Sequence, residues 1–76
     1  MKRILKSVWS ETTGEIRLYI QINETTDDVS FEVQNDINKD LTEGFHFEKY
    51  SQALAKFKNI WDSKRMYIYN NRDGKL

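Results

Sequence analysis

The sequence predicts a small α+β domain in which an antiparallel sheet is covered on one face by a single helix. Two observations predict this class. Three segments in the first half of the chain alternate apolar and polar residues with a period of two, which is typical of half-buried strands. A later segment repeats its apolar residues every three or four positions, which is typical of an amphipathic helix. We expect one domain at residues 1–70 and a frayed C-terminal tail at 71–76.

The first predicted strand is RILKSVWS, residues 3–10. A period of two would place Ile4 and Val8 on one face of this strand and Leu5 and Trp9 on the other. The segment ETTGE that follows is polar and contains a glycine, so it is expected to form a turn.

The second and third predicted strands are IRLYIQIN at residues 16–23 and VSFEVQ at residues 29–34. The polar segment ETTDD between them is expected to connect a hairpin. The apolar residues predicted to face the helix are Ile16, Leu18, Ile20, Ile22, Val29, Phe31 and Val33. Short connections between three such strands favour an antiparallel meander with one apolar face.

The predicted helix follows a polar loop at residues 35–44. Its apolar stripe consists of Phe47, Tyr50, Ala53, Leu54, Phe57, Ile60 and Trp61. Residues 65–69, RMYIY, alternate again and predict a short fourth strand. The expected order is therefore β-β-β-α-β, with the helix covering the apolar face of the sheet.

Several chemistries lack the residues that they require. Nucleophilic catalysis needs a base beside a Ser, Cys or Thr, and the one histidine, His46, is expected on the surface at the helix start. Phosphate-binding loops need clustered glycines, whereas the three glycines of this chain are isolated. The absence of cysteine excludes a disulfide framework and a thiolate zinc site. We therefore expect no enzymatic activity, no catalytic residue, no metal and no cofactor.

The segment NDINKDLTEG at residues 35–44 begins like a calcium-binding EF-hand loop, with a D-x-N-x-D pattern that starts at Asp36. An EF-hand requires Gly at the sixth position and Glu at the twelfth. These positions hold Leu41 and Phe47. We therefore interpret the segment first as a solvated acidic loop and second as a loop that contacts a partner, rather than as a metal site.

The formal net charge of zero hides a strong asymmetry along the chain. Residues 24–48 contain eight acidic residues and one lysine, which gives −7, whereas the remaining residues contain eleven bases and four acids, which gives +7. Such segregation is compatible with two ordinary solvated surfaces. A concentrated acidic surface can also attract basic partners and imitate the phosphate backbone of a nucleic acid.

The leading hypothesis is a small non-enzymatic interaction module, an inhibitor or regulator that docks on a protein with a basic surface. By analogy of size and charge, it would be an accessory protein of a phage or mobile element that mimics nucleic-acid charge. The residues predicted to contact the partner are Glu24, Asp27, Asp28, Asp36, Asp40 and Glu43.

An alternative hypothesis uses the sheet face opposite the helix as a nucleic-acid-binding surface. Aromatic and arginine side chains on an open sheet can stack the bases of a single strand. The residues predicted for this face are Trp9, Arg17, Tyr19, Tyr67 and Tyr69. The same face could instead form stabilising cross-strand pairs or a homodimer contact. The neutral overall charge weighs against a general nucleic-acid binder.

The expected location is the cytoplasm, with no membrane contact. No apolar run approaches the roughly 20 residues of a membrane span. Polar residues interrupt the first apolar segment too early for the core of a signal peptide. The lack of cysteine fits a reducing compartment.

Overall fold

The protein folds as a four-stranded antiparallel sheet followed by one long helix. The computed structural model describes residues 1–11 and 13–74, and the side chains of those up to residue 65. The elements in chain order are β1 (Lys2–Ser10), β2 (Gly14–Ile22), β3 (Val29–Asn38), β4 (Leu41–Phe47) and α1 (Tyr50–Gly74). The strands are neighbours in sequence order, so the sheet is a meander. The predicted α+β class and the antiparallel meander are confirmed.

One face of the sheet forms the hydrophobic core with α1. Ile16, Leu18 and Val33 of the two central strands are fully buried, as their alternation predicted. Ala53 and Phe57 lie four residues apart, on one side of α1, and meet them. The partly buried residues around this centre are Val8, Phe31, Phe45, Phe47, Leu54, Ile60 and Trp61. Because α1 contacts β2, β3 and β4 on this face, the opposite face of the sheet remains open.

The segment 35–44, predicted as a loop, is the central part of a hairpin. β3 continues to Asn38, two residues form the turn, and β4 begins at Leu41. The prediction was wrong because polar cross-strand pairs replace the apolar alternation by which a strand is recognised. Asn35, for example, is paired with Glu43 and donates a hydrogen bond to its carboxylate at 2.8 Å.

The helix α1 begins at Tyr50 rather than Phe47 and continues through residues 65–69, where a fourth strand was predicted. That prediction was wrong because alternation over only five residues does not distinguish a strand from a helix. No glycine or proline occurs between Tyr50 and Gly74, so no residue of the usual helix-breaking types ends the helix earlier. The order is therefore β-β-β-β-α, and residues 71–74, expected in the tail, belong to α1.

A β-bulge between Ile4 and Lys6 exchanges the two faces of β1. Ile4 is paired with Tyr19 on the open face, whereas Val8 is paired with Ile16 on the helix face. The prediction that Ile4 and Val8 share a face was wrong, because one extra residue shifts the side-chain period of the strand by one. The bulge and the lysines of this edge strand also oppose pairing with a further strand.

Candidate functional site

The open face of the sheet carries a network of ion pairs and hydrogen bonds centred on Arg17. Its guanidinium contacts the carboxylates of Glu15 and Asp36, with Nη2 lying 2.8 Å from Asp36 Oδ1. Its Nε donates to Gln34 Oε1 at 3.2 Å. The Arg17 side chain is only 14% exposed, because neighbouring side chains lie against it. The hydrogen bond from Arg17, supported by one from the Thr42 hydroxyl, lowers the pKa of Asp36 to about 2.

A second network on the same face is centred on Glu32. Burial would raise the pKa of this carboxyl, but hydrogen bonds from Lys2 and Gln34 outweigh burial and hold the pKa below its usual value. His46 lies on β4, so the prediction that placed it at the helix start was wrong. Its Nε2 is 3.7 Å from the Glu32 carboxylate. The ammonium of Lys2 also lies 4.6 Å from the centre of the Tyr19 ring. Lys2 therefore joins the carboxylate to the aromatic ring.

The structure brings together three of the residues predicted for a nucleic-acid face. Trp9, Arg17 and Tyr19 lie on the open face, where Trp9 is paired with Glu15. Tyr67 and Tyr69 lie on α1 and not on a strand, and their side chains are outside the described residues.

The six acidic residues predicted for partner contact are divided between opposite ends of the sheet. Glu24, Asp27 and Asp28 lie at the connection between β2 and β3, whereas Asp36, Asp40 and Glu43 lie near the turn between β3 and β4. The ten residues of β3 separate the two connections. At the usual rise of a strand this separation is roughly 33 Å. The six residues therefore do not form one continuous band.

Structural roles account for several of these acidic residues. Asp27 has a φ of 61° in the β2–β3 connection, a backbone conformation that aspartate tolerates better than most residues. Asp36 is bound to Arg17, and Glu43 accepts its hydrogen bond from Asn35. Glu43 lies on β4.

A cleft of about 410 Å³ lies between the β1–β2 turn and the β3–β4 turn. We refer to it as the turn cleft, and its lining residues are Trp9, Glu11, Thr13, Gly14, Asp36, Ile37, Asn38 and Lys39. Gly14 allows the two hairpins to approach each other here. It has a φ of +81°, and a Cβ atom on it would lie 2.8 Å from the Cβ of Asp36. Only glycine therefore fits this position without strain.

Two large apolar side chains are exposed in the lining of the turn cleft, and a third is exposed on the residue paired with Asn38. Trp9 is 67% exposed, Ile37 is 49% exposed, and Leu41, whose strand partner Asn38 lines the cleft, is 52% exposed. Trp9 was predicted for a binding face, whereas Ile37 and Leu41 were predicted for no site. Ile37 and Leu41 are the only large apolar residues in the sequence between Val33 and Phe45. Their isolation in a polar segment is the sequence feature from which their exposure could have been predicted.

Lys64 connects α1 to the turn cleft from the other side of the sheet. Its Nζ donates to the backbone oxygen of Thr13 at 2.6 Å and to that of Asp36 at 2.9 Å. Burial lowers the pKa of Lys64. Because Thr13 and Asp36 both line the cleft, the position of the helix is linked to the shape of the cleft.

The fold places this chain among small α+β proteins with an open meander sheet. No protein-family model, no curated protein and no solved structure matches it. Among the side chains that the structure describes, no group of three or more His, Cys, Asp or Glu residues could hold a metal ion. Within residues 1–11 and 13–74, no helix has the length and apolar character needed to cross a membrane. The open face and the turn cleft are thus the features that bear on function.

Proposed function

We propose that the protein is a non-enzymatic binding module that docks on a protein partner through the turn cleft. The observation that carries this proposal is the exposure of Trp9, Ile37 and Leu41 together at one end of the sheet. Tryptophan is enriched among the residues that contribute most to binding energy at protein interfaces. An apolar patch with a polar rim is typical of a docking surface.

The charge around the turn cleft favours a partner with a basic surface. Five acids and three bases lie at this end of the sheet, which gives −2: Glu11, Glu15, Asp36, Asp40 and Glu43 against Arg17, Lys39 and Lys64. Glu11 and Asp40 form no ion pair with any described side chain, so both carboxylates are available to a partner. Complementary charge at the rim of an interface mainly raises the association rate.

A module that binds without catalysing a reaction acts by occupying or reshaping its partner, so we propose a role as an inhibitor or regulator. The acidic residues at the distant β2–β3 connection are not needed for this role. Their separation from the turn cleft also weakens the idea of one acidic band that imitates a nucleic acid, because a duplex presents phosphates along a continuous path.

Capture from a lysate of the source cells with matched variants tests the proposal. We expect a protein retained by the wild type to be lost with Trp9→Ala and with Leu41→Ala, because each removes an exposed anchor without opening the core. The control, Asp27→Asn/Asp28→Asn, neutralises charge at the opposite end and should retain the same protein. Loss with the control and retention with Trp9→Ala would place the contact at the β2–β3 connection instead.

A second candidate is nucleic-acid binding by the open face, favoured by the presence there of Trp9, Arg17 and Tyr19. Arg17 is bound by two carboxylates and Lys2 lies over Tyr19, so a nucleic acid would have to compete with these contacts. Quenching of tryptophan fluorescence by a single-stranded oligonucleotide, abolished in Tyr19→Ala, would support this candidate. Unchanged fluorescence over a titration at low salt would exclude it.

A further inference from the structure

We propose that the turn cleft binds an arginine side chain of the partner. This inference rests on the proposed function and names the chemical group that the cleft accepts. It is drawn from the aromatic wall of the cleft, from its unpaired carboxylate and from its size.

The aromatic wall is the indole of Trp9, which is 67% exposed. Ile37, 49% exposed, also lines the cleft. An arginine side chain has an apolar stem and a cationic head, so the stem can contact both residues while the head remains near water. The face of an indole also attracts a guanidinium electrostatically.

Preference for a cation comes from one unpaired carboxylate and not from the net charge of the cleft, because Arg17 neutralises Asp36 and the Lys64 ammonium is bound to two lining residues. The lining residues of the cleft include two carboxylates, Glu11 and Asp36, and one ammonium, Lys39. Asp36 already accepts hydrogen bonds from Arg17, from the Thr42 hydroxyl and from the backbone of Glu15. Asp36 is therefore already neutralised, and Glu11 is the carboxylate free to accept hydrogen bonds from the incoming guanidinium.

Arginine fits this arrangement better than lysine. Its guanidinium is planar, stacks on aromatic rings and is more weakly hydrated than an ammonium. It can therefore contact the Trp9 indole with its face and the Glu11 carboxylate with its edge. A volume of about 410 Å³ is sufficient for one side chain of this size.

Titration with N-acetyl-arginine-N-methylamide, followed by two-dimensional ¹H–¹⁵N NMR, tests the inference directly. We expect saturable shifts at the Trp9 indole N–H and at the backbone amides of Gly14 and Asn38. The citrulline analogue has nearly the same shape without the charge, and the lysine analogue has the charge without the plane. Both should bind more weakly than arginine, by about two- to fivefold if the cation–π contact decides the difference.

Variants of this chain separate cleft binding from general attraction to acidic residues. Trp9→Ala and Glu11→Gln should each weaken the arginine titration about two- to fivefold, and both positions are exposed enough to leave the fold intact. Asp27→Asn/Asp28→Asn should leave it unchanged.

Equal shifts with arginine and citrulline, or shifts centred on residues 23–28, would overturn the inference. So would the absence of a saturable shift. The proposed function can hold even if this inference fails. In that case capture of the partner would depend on Trp9 and Leu41 but would be unaffected by Glu11→Gln. The turn cleft would then still be the docking surface, and arginine would be excluded as its ligand.

Discussion

At the scale of single residues, Gly14 and Asp36 together determine the shape of the turn cleft. Gly14 supplies a backbone conformation that other residues rarely adopt, and its missing side chain leaves room for Asp36. Asp36 in turn holds Arg17 and accepts a hydrogen bond from the backbone of Glu15 at 3.3 Å. One glycine and one carboxylate thus join the first hairpin to the last.

Replacing Gly14 by alanine is expected to destabilise the protein by about 1–3 kcal/mol, because the new Cβ would be strained at positive φ and would contact Asp36. Gly44→Ala is the matched control. A Cβ at Gly44 would meet only the end of the Glu32 side chain, at 3.3 Å, and that end can move. Urea denaturation measures both free energies of unfolding, and an equal loss in the two variants would contradict the assigned role of Gly14.

The free energy of unfolding should fall at acid pH partly through Asp36. Its pKa is about 2 in the folded protein, below the ordinary value of 3.8. The contribution of this carboxylate is therefore complete above about pH 4 and is lost as the pH falls from 4 toward 2. Because the side chain is partly exposed, we expect a loss of about 1–2 kcal/mol from this group.

Asp36→Asn should remove this part of the pH dependence, measured as the urea midpoint between pH 5 and pH 2. Asp40→Asn is the control, because Asp40 forms no ion pair with a described side chain. In this variant the urea midpoint should change with pH as it does in the wild type. If the urea midpoint of Asp36→Asn still changed with pH as in the wild type, other carboxylates would dominate acid unfolding.

At the scale of secondary structure elements, α1 has two kinds of contact with the sheet. Ala53 and Phe57 supply the buried apolar contact, whereas Lys64 supplies two hydrogen bonds to backbone oxygens. The apolar stripe could be predicted from residue spacing. The role of Lys64 could not, because a lysine in a helix is usually solvated and its acceptors lie 51 and 28 residues away in the sequence.

Lys64→Met should lower the free energy of unfolding by about 1–3 kcal/mol, because it leaves two partly buried backbone oxygens without this donor. It should also increase amide hydrogen exchange near the turn cleft, at Gly14 and Glu15, more than at Leu18 in the core. Lys58→Met, at an exposed position of the same helix, is the control and should change neither quantity appreciably. Uniformly faster exchange in Lys64→Met would indicate a global loss of stability without specific coupling to the cleft.

At the scale of the whole molecule, the protein is elongated, with principal extents of 55 × 25 × 15 Å. Its Cα radius of gyration is 14.4 Å, whereas a compact domain of this length has one of about 11 Å. The sheet has one covered face and one open face. The polar network around Arg17 and Glu32 occupies the open face in place of a second layer.

We expect the free protein to be a monomer in small-angle X-ray scattering, with a radius of gyration close to 14.4 Å plus its hydration shell. The bulge and the lysines of β1 oppose edge-to-edge association. A radius of gyration that grows with protein concentration and shrinks at high salt would contradict this prediction and favour a homodimer held by charge.

The sequence by itself determined the α+β class, the two central strands and the helix, because side-chain periods of two and of three to four depend only on local geometry. It also indicated core residues such as Leu18 and Phe57. The predictions for Val29 and Tyr50 were wrong, because both lie at the ends of their elements and are 45% and 41% exposed. The sequence did not determine where β3 ends or that residues 65–69 are helical. The end of β3 depends on cross-strand partners, and an alternation of only five residues fits a strand as well as a helix.

Only the tertiary structure decided which polar residues meet. Antiparallel pairing placed Asp27 and Asp40 at opposite ends of the sheet although they are close in sequence. The same pairing brought Trp9 and Ile37 to one cleft, and Gly14 next to Asp36, across large sequence separations. The turn cleft therefore arises from the register of three hairpins. Register is fixed by the burial of one whole sheet face, which no single segment of the sequence contains.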